Sequence, residues 1–469
     1  MRASLLALSA AVPLASAASG TIRLQFDPDL TIDPVVLLRS IRVRFGLSLP
    51  LGLRLGLNLR ERDAAPARRR KRGLLGGVLG GVGSVVGGVT DTVGSVVDGV
   101  SVGVSVGGGG PTQSWGSSQL GASNDNQDVA WSAMIGFGTP AQQIRCIVDS
   151  GSASPVVYAP NCTSCALSNH TAFDGTKSST FSRAGSARWS QTFNDGSTVA
   201  GQTAQDVLAL GSLSAGRHLI GLTDRQTGFP AATESSCILG FGRDAARAFG
   251  GSSTLTPFSA LVKAGVLDAP LVGSALVDTN KVTGTSAGGS FSIGAIESRY
   301  VLGSIVYAPV LSSNFWGTTI DGMSVRGGRS VLAPDDSRRA IYDTATSLIL
   351  VSDATAKLVH AQIPGAEYFP ETETWGVPCD AATLGLTAPA VFWHIGGSTF
   401  GIPPADLAFQ GSILQPGVCV SAIQGGSPSF TVLGAVFLAN RYLVLQYADG
   451  DLNKPFVGLA NRTDVGLIL

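Results

Sequence analysis

The sequence predicts an all-β protein built as two similar lobes, and three observations lead there. Its 61 glycines and 23 prolines fall with Ser, Asn and Asp between short runs of Val, Ile, Thr and Phe, the pattern of many short strands rather than long helices. A chain of 469 residues, 44% hydrophobic and 14% charged, can build two cores and is too apolar to be disordered throughout. The third observation is an internal duplication. "CIVDSGSASPVV" at 146–157 and "AIYDTATSLILV" at 340–351 share two apolar residues, an aspartate, a hydroxyl residue, a tiny residue and a second hydroxyl residue. Each is followed by an apolar-apolar-glycine element, "CILGFG" at 237–242 and "TVLGAV" at 431–436, and 91 residues separate Asp149 from Gly240 as they do Asp343 from Gly434. Two matched elements at one offset imply two lobes, each presenting one aspartate in a loop between strands.

The elements follow in chain order. Residues 1–17 combine Arg2, an apolar stretch and small residues around Ala15, Ser16 and Ala17, the pattern of a cleaved secretory signal, so an extracellular product is expected. Residues 18–72 hold 12 Lys+Arg against 5 Asp+Glu and end in "RRRKR", whereas 73–469 hold 19 against 27. A removable prosegment whose cations cover an acidic cleft fits this asymmetry, with a processing protease acting at 68–72. Export argues against a basic arm for nucleic acid. Residues 73–112 form a Gly/Val/Ser tract in which each glycine costs a helix about 1 kcal/mol against alanine, so a spacer is expected rather than a membrane span. The folded body divides into lobes at 113–298 and 299–469. It carries no further long apolar run, and a monomer without a membrane anchor is expected. Six cysteines suit an oxidising compartment with a few staples, and Asn161, Asn169 and Asn461 head glycosylation sequons.

An aspartate that ends a buried strand is costly unless its carboxylate is hydrogen-bonded, which sets a task for the loop amides and for Ser152 and Thr346. Two such carboxylates meeting across a lobe interface cannot both ionise freely, so they share a proton and titrate as a pair. That is acid/base machinery suited to peptide hydrolysis through an activated water. His170, His218, His360 and His394 are scattered without metal spacing and form no Ser/His/Asp arrangement, so no metal or organic cofactor is expected.

At these residues the sequence resembles the pepsin-like aspartic peptidases. "WSAMIGFGTPAQQIRCIVDSGS" is similar to the family's entry strand leading to its D-[ST]-G-[ST] motif. "QTFNDGSTVAGQTAQDVLALG" resembles its flap hairpin, "GGSFSIGAIESRYVLGSIVYAPV" its crossing segment, and "FTVLGAVFLANRYLVLQYADG" its final lobe. The resemblance implies a bilobal fold with a cleft between the lobes, polypeptide substrates, and Asp149 and Asp343 as the catalytic pair. It further implies that Ser150 and Thr344 exchange hydrogen bonds between the loops, while Ser152 and Thr346 bond the outer carboxylate oxygens, with Gly151 and Ala345 completing the motifs. Phe193, Asn194, Asp195 and Gly196 would form the flap, with Ile238 beside the substrate. Cys162 and Cys165 resemble the family's small loop, and Cys379 and Cys419 its C-lobe disulfide. Cys146 and Cys237 have thiol-free counterparts in Ala340 and Thr431, so buried free cysteines are expected, an added bridge being the alternative.

Four positions depart from the family pattern: Phe193 replaces the flap tyrosine, Val156 its tryptophan partner, Ala345 a glycine, and Ala435 an aspartate. The methyl group of Ala345 costs roughly 1–2 kcal/mol only if its φ is positive. The departures permit a second reading, a catalytically impaired peptide-binding or inhibitor module, which retention of both aspartates and their hydroxyl partners opposes.

Overall fold

The computed structural model describes residues 116–469 except 126–127, 129, 166–169, 193–196, 228–233, 247–248, 250–253, 279–287, 335, 428–429 and 466–469. The expected signal, prosegment and spacer at 1–17, 18–72 and 73–112 lie outside these residues, as do Asn169 and the flap residues Phe193, Asn194, Asp195 and Gly196.

The described chain is all-β and bilobal, and the duplication appears in its strand register. Ala130–Phe137 turns at Gly138, whose φ of 84° suits glycine, into Gln142–Asp149, with Ile135 opposite Ile144. Gln142–Asp149 runs parallel to Cys237–Gly240, with Cys146 opposite Cys237 and Asp149 opposite Gly240. Val156 then lies antiparallel opposite Ile238. In the second half Arg339–Tyr342 runs parallel to Thr431–Leu433, with Ala340 opposite Thr431, and Leu350 lies antiparallel opposite Val432. Each of these residues sits 194 positions after its counterpart, the spacing from Ser150 to Thr344.

These units are held in four sheets. A thirteen-stranded sheet contains Gln142–Asp149 and Cys237–Gly240 and the long hairpin arms Ser182–Thr192 and Thr198–Leu210. It also takes in the late strands Tyr442–Tyr447 and Pro455–Arg462, which join through Leu271–Leu276 with Leu443 opposite Ser274. Arg339–Tyr342 and Thr431–Leu433 belong to a five-stranded sheet, and two four-stranded sheets complete the second half. Helices are short and locally specified. Pro257–Ala264 begins after Thr256, whose side chain accepts the Ser259 N–H, carries proline in its first turn, and ends at Gly265 with φ 63°. No described helix is long and apolar enough to cross a membrane.

Each strand end that carries an aspartate is buried on both faces. Cys146, Ile147, Val148 and Asp149 are all buried, as are Ala340, Ile341, Tyr342 and Asp343. Such near-continuous apolar runs are what a parallel pairing covered on both faces requires. Trp131, Phe137, Phe173, Phe241, Phe258, Trp316 and Trp393 fill the interior, each large ring contributing on the order of 1.5–3 kcal/mol of transfer free energy.

Cys162 is bonded to Cys165 and Cys379 to Cys419. The expectation of free thiols at Cys146 and Cys237 is corrected: they form a third disulfide, and among the described residues no cysteine is free. The reason is the register. The parallel pairing that sets Asp149 opposite Gly240 also sets Cys146 opposite Cys237, with Cα atoms 4.3 Å apart. The absence of thiols at Ala340 and Thr431 carried no information about this pair.

Candidate active site

Asp149 and Asp343 each close a buried strand, and each is 1% exposed. Their loops supply donors in the same plan. Asp149 Oδ1 accepts the Gly151 and Ser152 N–H groups at 2.8 and 3.2 Å, and its Oδ2 accepts the Ser152 hydroxyl at 2.6 Å. Asp343 Oδ1 accepts the Ala345 N–H at 2.9 Å and its Oδ2 the Thr346 hydroxyl at 2.7 Å. Donors on both oxygens offset the desolvation of a buried carboxylate and fix its plane.

The two loops are tied together through Ser150 and Thr344. Thr344 Oγ1 accepts the Ser150 N–H at 3.1 Å, and Ser150 Oγ accepts the Thr344 N–H at 3.0 Å. Each hydroxyl then donates onward, Thr344 to the Val148 carbonyl at 2.6 Å and Ser150 to the Tyr342 carbonyl at 2.8 Å. Both side chains thus serve as acceptor and donor across the interface, the full capacity a hydroxyl needs when buried.

Gly151 has no room for a side chain. A Cβ built on it would stand 2.6 Å from Asp343 Oδ2 and 2.8 Å from Cγ, so the Asp343 carboxyl group lies directly against the loop that binds Asp149. Both acids therefore belong to one small site. Ala345, its counterpart in the duplication, is not among the residues of positive φ, so its methyl group meets no backbone penalty. That methyl group is buried with Ala130, Ile147, Val156, Trp189, Val199 and Ile238.

Val156 and Ile238 are buried in this same apolar cluster beside the dyad. The arms of the long hairpin pair as far as Thr192 opposite Thr198. Trp189, on the first arm, is 7% exposed and packs against Phe249 at 4.9 Å. The sequence reading missed Trp189. The available hint was the small side chain at Val156, because dense packing obliges another large group to occupy the space. The reading missed the Val148 and Tyr342 carbonyls as well, since no periodicity reports which backbone groups a distant hydroxyl will reach. Ala435 is buried and begins the short helix Ala435–Leu438, its N–H donating to the Thr346 carbonyl at 2.7 Å. Of the sequons, Asn161 is exposed beside Cys162, and Asn461 is half-buried in Pro455–Arg462 opposite Leu302.

No group of His, Cys, Asp and Glu suited to hold a metal ion occurs among the described residues. Two hydrogen-bonded carboxyl groups held together can pass protons to and from one small reactant, the requirement for general acid/base work on water and a carbonyl.

Comparison with known proteins agrees. A family model described as eukaryotic aspartyl protease matches residues 130–461. Rhizopuspepsin-4 of Rhizopus niveus is 32% identical over 335 residues, 71% of this chain and 78% of that protein. Syncephapepsin of Syncephalastrum racemosum is 30% identical over 330 residues, 70% of this chain and 78% of its own length. A probable vacuolar protease A of Trichophyton verrucosum is 28% identical over 334 residues, 70% and 77% of the two chains.

Proposed function

The chain belongs to the eukaryotic aspartyl protease family and is an aspartic-type endopeptidase, and from that premise we propose a secreted enzyme, made as a zymogen, whose catalytic pair is Asp149 and Asp343. The observation that carries the reading is the matched bonding of the two carboxyl groups, inner oxygen to an amide and outer oxygen to a hydroxyl, in loops locked by Ser150 and Thr344.

Activating a water needs a base and polarising a carbonyl needs an acid, so the pair would work with one proton between its two carboxyl groups. The ionised carboxylate takes a proton from a held water as the water oxygen attacks the scissile carbonyl carbon. The partner gives its proton to the carbonyl oxygen, forming a gem-diol. In the second step the carbon–nitrogen bond breaks, the nitrogen receives the proton taken from water, and one diol hydroxyl returns a proton to the partner. Both carboxyl groups end as they began. An extended polypeptide would lie across the cleft under the flap 192–201, adding main-chain hydrogen bonds to the hairpin. Residues 18–72 would mask the acidic body until cleavage at 68–72, their net positive charge favouring that contact and low pH weakening it.

The test is cleavage of an unfolded protein by the processed chain between about pH 3 and 6, with and without a transition-state-mimicking aspartic-peptidase inhibitor. Inhibitor-sensitive cleavage that Asp149→Asn abolishes is expected. A correctly processed, folded protein that cleaves nothing sinks the reading. Deleting 18–72 should impair folding or release latency; no change in either makes that segment a passenger.

A further inference from the structure

Beneath the aspartate loops, Trp316 is fully buried and reaches both of them. Its indole N–H donates to the Phe241 carbonyl at 2.7 Å, and the Phe241 N–H donates to the Asp149 carbonyl at 2.7 Å. On the other side the Trp316 carbonyl accepts the Tyr342 N–H at 3.0 Å, and the Tyr342 carbonyl accepts the Ser150 hydroxyl at 2.8 Å. The circuit closes, because Ser150 is bonded to Asp149 and Tyr342 directly precedes Asp343.

The indole is itself held. The Arg243 guanidinium lies 5.6 Å from the Trp316 ring centroid and 5.4 Å from that of Tyr447. The two rings are 5.2 Å apart, and Phe258 packs against both, at 6.2 and 5.3 Å. Arg243 Nε and Nη1 are buried without a hydrogen-bond partner, and the guanidinium is held by the two ring faces and by its interaction with the Tyr447 hydroxyl. Arg243 also lies two residues beyond Phe241, so one short segment binds Asp149, accepts from Trp316 and clamps the indole.

We propose that Trp316 is a positioning residue for the hydrolysis, setting how the Asp149 and Asp343 loops stand to each other, with Arg243 fixing the indole. The proposal rests on the catalytic reading of the two aspartates. Ser150 and Thr344 tie the loops at one level, and Trp316 ties them at a second, which resists rotation about the first. Loss of the second tie misplaces two groups that must act together, an error that costs on the order of 100-fold per ångström.

Trp316→Phe keeps most of the ring packing and removes the N–H. In the processed full-length protein kcat should fall about tenfold or more with KM within about twofold, and the kcat–pH profile should change because the acid and the base act together on one reactant. Arg243→Gln should shift both in the same direction by less, and it carries the test should Trp316→Phe not fold. Trp393→Phe is the control: Trp393 is also fully buried, stands edge-on to Phe437 at 5.3 Å, and takes no part in the circuit. It should lower stability and leave kcat and the profile in place. Hydrogen exchange adds a readout independent of turnover, with protection expected to fall in both 146–152 and 340–346 for Trp316→Phe and in neither for Trp393→Phe. An unchanged kcat and profile, or protection lost in one segment or neither, overturns the proposal. A wild-type protein that cleaves nothing defeats the catalytic reading instead, and the exchange result then decides the tie by the same criterion.

Discussion

Gly151 and Asp343 touch across the two halves of the site: a Cβ on Gly151 would stand 2.6 Å from Asp343 Oδ2. Glycine is required there by space, for Gly151 is not among the glycines of positive φ. Gly151→Ala should therefore push the Asp343 carboxyl group out of place and reduce kcat by about 100-fold, the scale of an ångström-sized misplacement. Ala345→Gly should leave kcat within about threefold and cost roughly 0.4–1 kcal/mol through the freer unfolded chain. Steady-state kinetics and urea unfolding of both variants check this asymmetry.

Thr344 Oγ1 accepts from Ser150 N–H and donates to the Val148 carbonyl. Thr344→Val preserves shape and strands both partners in a buried setting, so a loss of about 2–5 kcal/mol is expected from two unpaired groups. Thr346→Val removes one bond, to Asp343 Oδ2. It should cost less stability and depress kcat more than KM, measurable in the same pair of experiments.

His360 is enclosed between the Ala356 carbonyl and Ser421 Oγ and stacks on Trp375 at 4.3 Å. Burial brings it down to about 4, partly opposed by the Ala356 hydrogen bond, and burial brings His218 down to about 4 as well, opposed by the Leu255 backbone and Asp244. Both are neutral in the folded protein where the unfolded chain already binds protons. Their contribution is thus complete above about pH 6.5, the unfolded value, and is lost as pH falls toward 4, roughly 3 kcal/mol for each. Urea midpoints measured from pH 7 to 4 should fall steadily, and His360→Gln should flatten the slope by about half.

The Cys146–Cys237 bridge closes a separation of 91 residues and joins the strand that ends in Asp149 to its parallel neighbour. The Cys146→Ala, Cys237→Ala double variant should lose about 2–5 kcal/mol. Thiol titration of the denatured, unreduced wild-type protein should find no free thiol among the described cysteines; two reactive thiols would return this pair to the reduced state.

Much of the site was legible because it is written locally and twice. A strand of small and apolar residues ending in Asp, a hydroxyl residue, a tiny residue and a hydroxyl residue defines its own carboxylate donors within three positions, as Ser152 and Thr346 do. Repetition at one offset announced the two lobes, and the equal spacing of Asp149 to Gly240 and Asp343 to Gly434 already contained the parallel register. The same register contained the third disulfide, which comparison of the two copies obscured because the copies differ at those positions.

The sequence by itself determined the all-β class, the doubled plan, the two acids and their immediate donors, since strand alternation and loop hydrogen bonds act between near neighbours. The tertiary structure alone decided that equivalent positions are not interchangeable. Gly151 faces the Asp343 carboxyl group and must stay bare, whereas Ala345 turns its methyl group into an apolar cluster. It decided equally that Trp316, 75 residues from Phe241 in the chain, would bond it beneath the dyad. Such contacts depend on how whole sheets pack across an interface, and no local periodicity encodes that distance.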